Sequence, residues 1–597
     1  MQDQWRATSR LSLTGGVRYT YLGVPYEIHG QQVAPTINLS TFLQNRVAAA
    51  SSGGAYNTRI TVAPAGQANG QPNLWTPQKL NFAPRVAFAY STADNRTSIR
   101  GGFALAFDHF GEGVVNYYDA NGAFALSTQN PFAYPAVDTA PRFTGYRNVP
   151  IGSVNAGTQS FPITPADQNF SFVRSINSNI KTPYAETFNL TVQHEFAPGL
   201  TVTTSYVGRL GRHVLSNLDV AQPSNVYDPI SGQTYFQAAT AYAKMVDSGV
   251  KAGNVPNSGY FQNFFPNAKY KGFTGAQAYY AYLADGDRGN ETDPLFNFDT
   301  DSSASASGQS FRFFYPQYSS IFVQSSVGSS NYNALQLSVR HALRYGLEYD
   351  VNYTYGKSMD LGSSPERSAS NLIINTLNPA GNYGVSDYDA RHNITANYSL
   401  PLPFGHGTPF LSQSNGFVDR LISGWSVNGI VHYSSAFPFS AVASGNYGTN
   451  FDTPSYMVKT GPIASGGHRY VSNGSAPYVT AFQNLTSPQA SANLRYAYPG
   501  ESGQRNALRA DGYFSMDNGV TKLFRTFREQ QFKLSFEFFN VLNDTRFTSL
   551  NATVSSGLTA TPSSASNFVN GASTKFGQYA NTLTQPRQIQ FSGKYIF

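Results

Sequence analysis

The sequence predicts an all-β fold: a transmembrane antiparallel up-and-down β-barrel that is partial, with about thirteen strands and long extracellular loops. Polar and apolar residues alternate over segments of about eight to eleven residues, which is the period of a β-strand. That length matches what a tilted strand needs to cross a bilayer. Tight turns and long polar connections also alternate along the chain, as they do in outer-membrane barrels.

The alternation recurs along the whole chain, whereas helical periodicity is scarce. In the segment 11–22, Leu11, Leu13 and Val17 fall on one face of a strand, and Ser12 and Thr14 fall on the other. The predicted strands are 3–9, 11–22, 80–91, 96–108, 186–196, 200–209, 332–343, 347–358, 391–400, 422–434, 512–524, 530–541 and 587–597.

The connections between these strands predict how the sheet crosses the membrane. Most strands are joined in pairs by short turns, and one pair is joined by the longer segment that begins PLPFGHG. The pairs are separated by long segments rich in Gly, Ser, Asn, Pro and Tyr. Counted back from the final strand, every turn within a pair falls on one side and every long loop on the other. Short turns are periplasmic in bacterial barrels, so the long loops are expected to be extracellular.

Composition agrees with a strand-rich protein that has polar loops. Charged residues make up 12% of the chain, well below the roughly 25% of soluble domains, and aromatic residues make up 14%. There are no cysteines, which excludes disulfides, thiol catalysis and Cys-ligated zinc. The net charge of +7 is spread along the chain without a Lys/Arg run, so we expect no nucleic-acid partner.

Membrane-targeting signals of other kinds are not seen. We find no run of about 20 apolar residues that would form a transmembrane helix. The start, MQDQWRATSR, lacks the apolar region of a signal peptide, so we expect a mature or truncated chain. A soluble β-sandwich with one buried face is the alternative, and the regular alternation of turns and loops favours the barrel.

The polar face of the predicted strands supplies the candidate interior residues. We expect these side chains to line the lumen, either as a polar network across the interior or in contact with a solute. They are Arg18, Gln193, Glu195, Arg340, Glu348, Asp350, Lys533, Glu537 and Lys594.

Other polar clusters point only weakly to chemistry. Asp285, Asp287, Glu291 and Asp293 form a weak Ca²⁺ candidate, but the segment lacks the spacing of an EF-hand, and a solvated acidic loop is the alternative. The basic segment GRLGRH (208–213) precedes no helix, so it marks a strand exit and not a phosphate loop.

We find no catalytic motif and predict that the protein is not an enzyme and carries no cofactor. The segment SDYDARHN brings Asp387, Asp389, Arg391 and His392 to one loop–strand junction. An ion-pair cluster at the rim is the favoured interpretation of this segment, and a barrel hydrolase with a catalytic Asp389–His392 dyad is the alternative.

Several segments resemble Oar-like TonB-dependent receptors of the acidobacterial type. They are SNYNALQLSVRHALRYGLEYDVNYTYGKSMD (330–360), YAETFNLTVQHEF with SYVGRLGRH, DARHNITANYSLPLPFG, FEFFNVLNDTRF and PRQIQFSGKYIF. The resemblance covers essentially all the predicted strands and none of the long loops. It implies an outer-membrane receptor that captures a ligand with its long loops and transports it across the bacterial outer membrane.

The resemblance also implies what lies outside this chain. Such receptors carry an N-terminal β-sandwich, a plug and a barrel of about twenty-two strands. We therefore expect residues 1–597 to be the C-terminal part of a receptor barrel, without plug or sandwich and so not active alone. Because the first strand would lack its neighbour, we expect an open or imperfectly closed sheet, or a forced contact between the first and last strands.

The implied partners are outer-membrane lipid, lipopolysaccharide, the barrel assembly machinery and an unknown ligand, with TonB engaged only through the missing N-terminal region. The last strand resembles the signal by which the assembly machinery recognises a barrel. Its apolar residues are Ile589, Phe591, Tyr595 and Phe597. A surface adhesion or binding barrel without transport remains the main functional alternative.

Overall fold

The computed structural model describes most of the chain and is built around one large antiparallel sheet. The described residues are 2–28, 30, 32–111, 113–115, 118, 160–285, 290–342, 346–364, 372–443, 447–472, 477–526, 530–554 and 575–597.

Thirteen strands form a meander in which each strand pairs with its neighbours along the chain. Each observed strand overlaps one strand predicted from alternation, so the all-β prediction and the strand count are confirmed. The bounds are β1 Gln2–Arg6, β2 Leu11–Tyr19, β3 Phe82–Ser91, β4 Thr97–Phe107, β5 Tyr184–Ala197, β6 Leu200–Asp219, β7 Tyr318–Ala342, β8 Glu348–Asp360, β9 His392–Pro401, β10 Trp425–Ser434, β11 Tyr513–Arg525, β12 Gln531–Phe539 and β13 Gln588–Ile596.

The register places the apolar residues of successive strands on a single face of the sheet. Leu13 on β2 lies opposite Phe88 on β3, and Leu335 on β7 lies between Tyr206 on β6 and Tyr355 on β8. Leu335, Tyr206 and Tyr355 are all more than 40% exposed. We call this side of the sheet the apolar face and the opposite side the polar face. A continuous exposed apolar face suits contact with lipid, where a barrel can satisfy its backbone groups within the sheet.

The connections contain most of the remaining secondary structure. Seven helices lie in the connections of the described ranges: α1 Leu39–Ser51, α2 Tyr235–Asp247, α3 Tyr260–Phe264, α4 Gly275–Asp285, α5 Thr292–Thr300, α6 Gly416–Ile422 and α7 Ser487–Ala492. None of the helices in this part of the chain is long and apolar enough to span a membrane. The short strands are Val33–Pro35, Val62–Pro64, Gln168–Ile176, Tyr227–Asp228, Gln233–Thr234, Lys269–Tyr270, Phe273–Thr274, Leu372–Ile373, Gly384–Val385, Pro438–Phe439, Val442–Ala443, Val458–Lys459, Ser465–Val471, Tyr478–Phe482, Leu494–Arg495, Leu508–Arg509, Phe547–Leu550, Thr553–Val554 and Tyr579–Thr582.

The large buried clusters are built from the long loops and from the loop-side ends of β6 and β7. One cluster contains Phe42 of α1 and Ile321 of β7, both fully buried. A second cluster is formed by α2–α5, where the rings of Phe261 and Tyr279 stack with their centroids 3.7 Å apart. Apolar residues are therefore exposed on the strands and buried in the loops, which is the reverse of a soluble sheet protein.

Strands β6 and β7 are much longer than predicted. The alternating pattern ends near residue 209 in one strand and begins near 332 in the other, whereas the pairing continues to Asp219 and Phe322. The residues of β7 from Tyr318 to Ser325 are all buried, because loop segments cover both faces there. A strand that is buried on both sides has no polar–apolar alternation, so the sequence pattern cannot reveal it.

The sheet has two edges among the described strands. β1 pairs with β2, β13 pairs with β12, and no described register joins β1 to β13. This arrangement agrees with the expected open or imperfectly closed sheet.

Candidate functional site

The nine candidate interior residues all lie on the polar face of the sheet. Strand register determines this placement, because directly opposite residues of an antiparallel pair point to the same side. Arg340 lies opposite Asp350, Lys533 opposite Lys594, and Glu537 opposite Gln590. The others are spread over distant strands at Arg18, Gln193, Glu195 and Glu348.

Only one pair among these residues forms an ion pair in the described structure. The Arg340 guanidinium donates to Asp350 Oδ2 from Nε at 3.2 Å and from Nη2 at 2.9 Å. Asp350 Oδ1 accepts a further hydrogen bond from Asn352. Lys533 and Lys594 present like charges to one another, which costs stability unless an anion lies nearby. A role of these nine residues in solute passage stays a prediction.

A cleft of about 550 Å³ opens where the polar face meets the long loops. Its floor is a row of three residues in register across neighbouring strands: Arg209 on β6, Tyr332 on β7 and Ser358 on β8. The walls are completed by the ends of β4 and β5 and by the loop residues Asp108, Pro183, Ser364 and Tyr388.

Arg209 is the distinctive group of this cleft. Its side chain is exposed, and no hydrogen bond or ion pair of its guanidinium is found with any residue that the structure describes. A guanidinium beside hydroxyl groups provides fixed donors for a carboxylate or phosphate group. The sequence alone predicts only a strand exit at GRLGRH (208–213). The extension of the β6–β7 ladder past this segment is what places Arg209 on the floor of a cleft.

Ser358 is held in place by the buried carboxylate of Asp389. Asp389 Oδ1 accepts from the Ser358 backbone N–H at 2.6 Å, and Oδ2 accepts from Arg509 Nη2 at 2.5 Å. Arg391 Nε lies 3.5 Å from the same oxygen. His392 instead lies on the apolar face, where its Nδ1 is 2.9 Å from the hydroxyl of Tyr353. The described structure therefore places Asp389 in an ion-pair cluster and does not pair it with His392.

A second ion-pair cluster is centred on Arg505 and ties three parts of the chain together. Its guanidinium donates to Asp360 Oδ1 at 2.7 Å, to Asp387 Oδ1 at 2.9 Å and to Ser363 Oγ at 2.7 Å. Arg505 and Asp360 are almost completely buried. Burial opposes the charge of Arg505, but the attraction of Asp360 and Asp387 prevails and raises its pKa.

The weak Ca²⁺ candidate is not assembled in the described part of the chain. Asp285 Oδ2 accepts hydrogen bonds from Lys271 at 2.5 Å and from Tyr270 at 2.6 Å, and these bonds lower the pKa of the carboxyl. Asp293 accepts a hydrogen bond from Asn290. Glu291 is buried, and Asp287 lies outside the described residues. The described residues contain no group of three acidic or histidine side chains placed to hold a metal ion.

The long loops carry a second cleft, which is mainly apolar and has a volume of about 640 Å³. Leu43 and Val47 of α1 form one wall, and Pro223 and Leu377 from two other loops form the opposite wall. Beneath it, Arg46 donates to the carbonyl oxygens of Gln222 at 3.0 Å and Phe313 at 3.1 Å. Burial lowers the pKa of Arg46 to about 10. Arg46 thus links three loop segments beneath this apolar cleft, which we call the loop groove.

Asp299 holds a turn of the same loop region through backbone hydrogen bonds. Its carboxylate accepts from the N–H groups of Arg312, Phe313 and Phe314 at 2.8–3.0 Å. The side chain is buried, and burial raises its pKa from 3.8 to about 6.

The loop region should therefore lose stability as the pH rises from about 4 to 6. The folded state binds the Asp299 proton more tightly than the unfolded chain does. The contribution of this proton to the free energy of unfolding is about 3 kcal/mol, is fully present below about pH 4 and is lost as the pH rises through 6. Hydrogen exchange at residues 312–314, corrected for the intrinsic rate at each pH, measures it. Asp299→Asn should show a smaller change with pH than the wild type, and an identical change in both would contradict the assignment.

The apolar residues of the last strand lie on the apolar face of the sheet. Phe591 is paired with Phe536, and Tyr595 with Phe532. Ile589 and Phe597 are also exposed. The Tyr595 hydroxyl donates to Gln530 Oε1 at 2.6 Å, which fastens the end of β13 to the last short turn. Recognition of these residues by the assembly machinery stays a prediction.

Comparisons with known proteins agree with this architecture. A family model described as "Outer membrane beta barrel domain" matches residues 1–590. No curated protein sequence matches the chain.

Among solved structures, the chain is similar to the outer membrane transporter YddB from Escherichia coli, with 10% identity, a TM-score of 0.36, and coverage of 100% of this chain and 53% of that chain. It is also similar to the pyoverdine receptor FpvA from Pseudomonas aeruginosa PAO1, at 8% identity and a TM-score of 0.34, with coverage of 100% of this chain and 41% of that chain. The siderophore receptor PiuA from Acinetobacter baumannii is similar at 8% identity and a TM-score of 0.35, with coverage of 100% of this chain and 42% of that chain. The chain spans about half, or less, of the length of each of these structures.

Proposed function

Because this chain belongs to the family of outer membrane beta barrel domains, we propose that it forms the strands of a TonB-dependent receptor that captures an extracellular solute. The family places the protein in the bacterial outer membrane. Within that setting, the receptor type, the Oar-like relationship and the solute are parts of the proposal. The cleft around Arg209 is the observation that carries it.

The position of the cleft suits capture at the entrance to a barrel interior. Arg209, Tyr332 and Ser358 lie on the polar face, at the end from which the long loops emerge. A solute that descends between the loops would meet these donors before it meets the rest of the polar face. An exposed guanidinium directly opposite the tyrosine Tyr332 supports a carboxylate-bearing solute as the ligand.

Binding of paired oligosaccharides tests this function. Trigalacturonate and maltotriose are similar in size, but only the first carries carboxylates. We expect the purified protein in detergent to bind trigalacturonate more tightly. Arg209→Gln should weaken that binding about tenfold, because a charge-assisted hydrogen bond is lost. Isothermal titration calorimetry provides the dissociation constants.

A matched control comes from the other arginine of the polar face. Arg340 is neutralised by Asp350 near the short-turn end of β7, so Arg340→Gln should leave the affinity unchanged. Equal affinities for the two trisaccharides, or an unaltered affinity in Arg209→Gln, would contradict the proposed ligand class.

Transport through this barrel would need parts that the proposal assigns to a longer receptor. In the Oar-like proteins that the sequence resembles, a plug gates the lumen and an N-terminal region contacts TonB. We propose that residues 1–597 act as the C-terminal part of such a receptor. The reading frame upstream of Met1 tests this: a plug and a TonB-contacting segment would support transport.

A binding barrel without transport is the second candidate function. The loop groove favours it, because a mainly apolar cleft between α1 and two other loops can hold an apolar segment of a partner without any solute entering the barrel. A signal peptide immediately before the first strand, with no plug between them, would support this candidate over the receptor.

The assembly partners follow from the same proposal. The apolar face would contact outer-membrane lipid and lipopolysaccharide, and the last strand would be recognised by the barrel assembly machinery. The exposure of Ile589, Phe591, Tyr595 and Phe597 on one face supports this role.

A further inference from the structure

The connection between β9 and β10, residues 402–424, presents an unusual apolar surface on the side of the short turns. It contains the short helix α6, and its large apolar side chains point into solvent. Phe417 is 75% exposed and Leu421 is 54% exposed. The other exposed apolar residues of this connection are Phe404, Phe410, Leu411 and Val418.

Polar contacts hold the connection in this shape. The Asn415 side chain caps α6 by accepting from the Val418 N–H at 2.9 Å. Asp419 Oδ1 accepts from the His406 N–H at 2.5 Å. Gly405 packs so closely that a Cβ atom there would lie 2.6 Å from the Cβ of Ser423. The apolar side chains are therefore held outward by a fixed backbone.

The end of α6 is attached to the apolar face of the sheet. The indole N–H of Trp425, which lies on this face, donates to the carbonyl oxygen of Leu421 at 2.8 Å. Lys522, opposite Trp425, donates from its ammonium group to the carbonyl oxygen of Ser423. Tryptophan and lysine are characteristic of the boundary between lipid and water, where lysine extends its charge toward the polar side.

We propose that residues 402–424 form an interfacial anchor that lies in the phospholipid of the periplasmic leaflet. Short turns are periplasmic in bacterial barrels, so the connection lies at that surface. Phe417 and Leu421 are four residues apart and share one side of α6. Arg420 borders this side, and its long side chain can extend the guanidinium toward the headgroups. The helix can thus insert its apolar side among the acyl chains and keep Arg420 at the headgroups.

The continuity of two apolar surfaces identifies lipid as the occupant. The face of the sheet that bears Trp425 contacts lipid in an outer-membrane barrel, and the Trp425–Leu421 hydrogen bond holds the exposed apolar end of α6 beside that face. Exposed apolar residues grouped in this way mark an interaction site. The anchor does not depend on which solute the barrel binds.

Single spin labels test this anchor directly, because the chain has no cysteine of its own. The variants Phe417→Cys and Leu421→Cys label the apolar side of α6. Gly416→Cys is the matched control, because Gly416 is exposed, has open space beside it and points away from that side. Each labelled protein is placed in nanodiscs of phosphatidylethanolamine and phosphatidylglycerol. Power-saturation electron paramagnetic resonance then gives the accessibility of each label to oxygen, which partitions into lipid, and to a water-soluble nickel chelate.

Labels at 417 and 421 should show a ratio of oxygen to nickel accessibility several times higher than the label at 416. The scaffold protein of a nanodisc lies at the rim of the disc and no periplasmic protein is present, so a surface that serves a protein partner would leave 417 and 421 in water. Nickel accessibility at 417 and 421 equal to that at 416 would therefore overturn the proposal. Retention of the β-sheet circular dichroism spectrum in each variant establishes that the comparison is made on folded protein.

Discussion

Replacing Leu335 with arginine should destabilise the folded protein in its membrane by about 2–4 kcal/mol, which is the cost of a cation on the lipid side of a barrel near its midplane. Leu335 is the middle residue of an apolar row that runs from Tyr206 to Tyr355. No acidic side chain lies directly opposite it on either neighbouring strand. The guanidinium would have to extend to the membrane surface or remain unpaired in lipid.

The neighbouring residue Gln336 is the matched control. It lies on the same strand, one position away, and therefore on the polar face of the sheet. Gln336→Arg introduces the same side chain and the same charge, but on the side that water is expected to reach. Its effect on the free energy of unfolding should be close to zero.

Removing the Arg505 side chain should cost about 3–5 kcal/mol of loop stability, because Asp360 would be left as a buried charge without its cation. Arg505 also contacts Asp387 and Ser363, so Arg505→Ala separates two long loops from the end of β8. The loss of stability should be confined to the loops, since Asp360 is the only one of these residues that belongs to a strand of the large sheet.

Hydrogen exchange of residues 384–387 and 505–509 measures this loss. Arg340→Ala breaks an ion pair whose arginine is 75% exposed, and it should change stability by only about 0–1 kcal/mol. Unchanged exchange in Arg505→Ala, or a similar effect in both variants, would show that burial does not strengthen the Arg505 cluster.

The strands and their faces were predictable because each has one apolar and one polar side. The alternation of Leu335, Gln336 and Leu337 gives both the strand and its orientation, and long-range pairing only has to follow it. The register of all thirteen strands agrees with that orientation. The open order from β1 to β13 also agrees with the predicted strand count.

The loops were not predictable from local patterns, because their structure depends on contacts between distant residues. Asp360 and Arg505 are 145 positions apart in the chain, and neither has a neighbouring motif that indicates the pair. The helices of the loops bury aromatic side chains against other loops, so the periodicity of an isolated amphipathic helix is weak.

The candidate site combines both kinds of structure. The placement of Arg209, Tyr332 and Ser358 on the polar face of the sheet could be derived from the strand pattern, since each occupies a polar-side position of its strand. The cleft could not, because it requires β6 and β7 to continue into the loops, where Ser320 and Ile321 are buried and show no alternation. An arginine in a basic segment at a strand end therefore had no visible partner or role in the sequence.

Contact of one face of this sheet with lipid is tested most directly by the free energies of unfolding of Leu335→Arg and Gln336→Arg, measured by urea titration in lipid vesicles. We predict a loss of about 2–4 kcal/mol for Leu335→Arg and nearly none for Gln336→Arg. Equal losses in the two variants, or a larger loss for Gln336→Arg, would contradict the assignment of the faces.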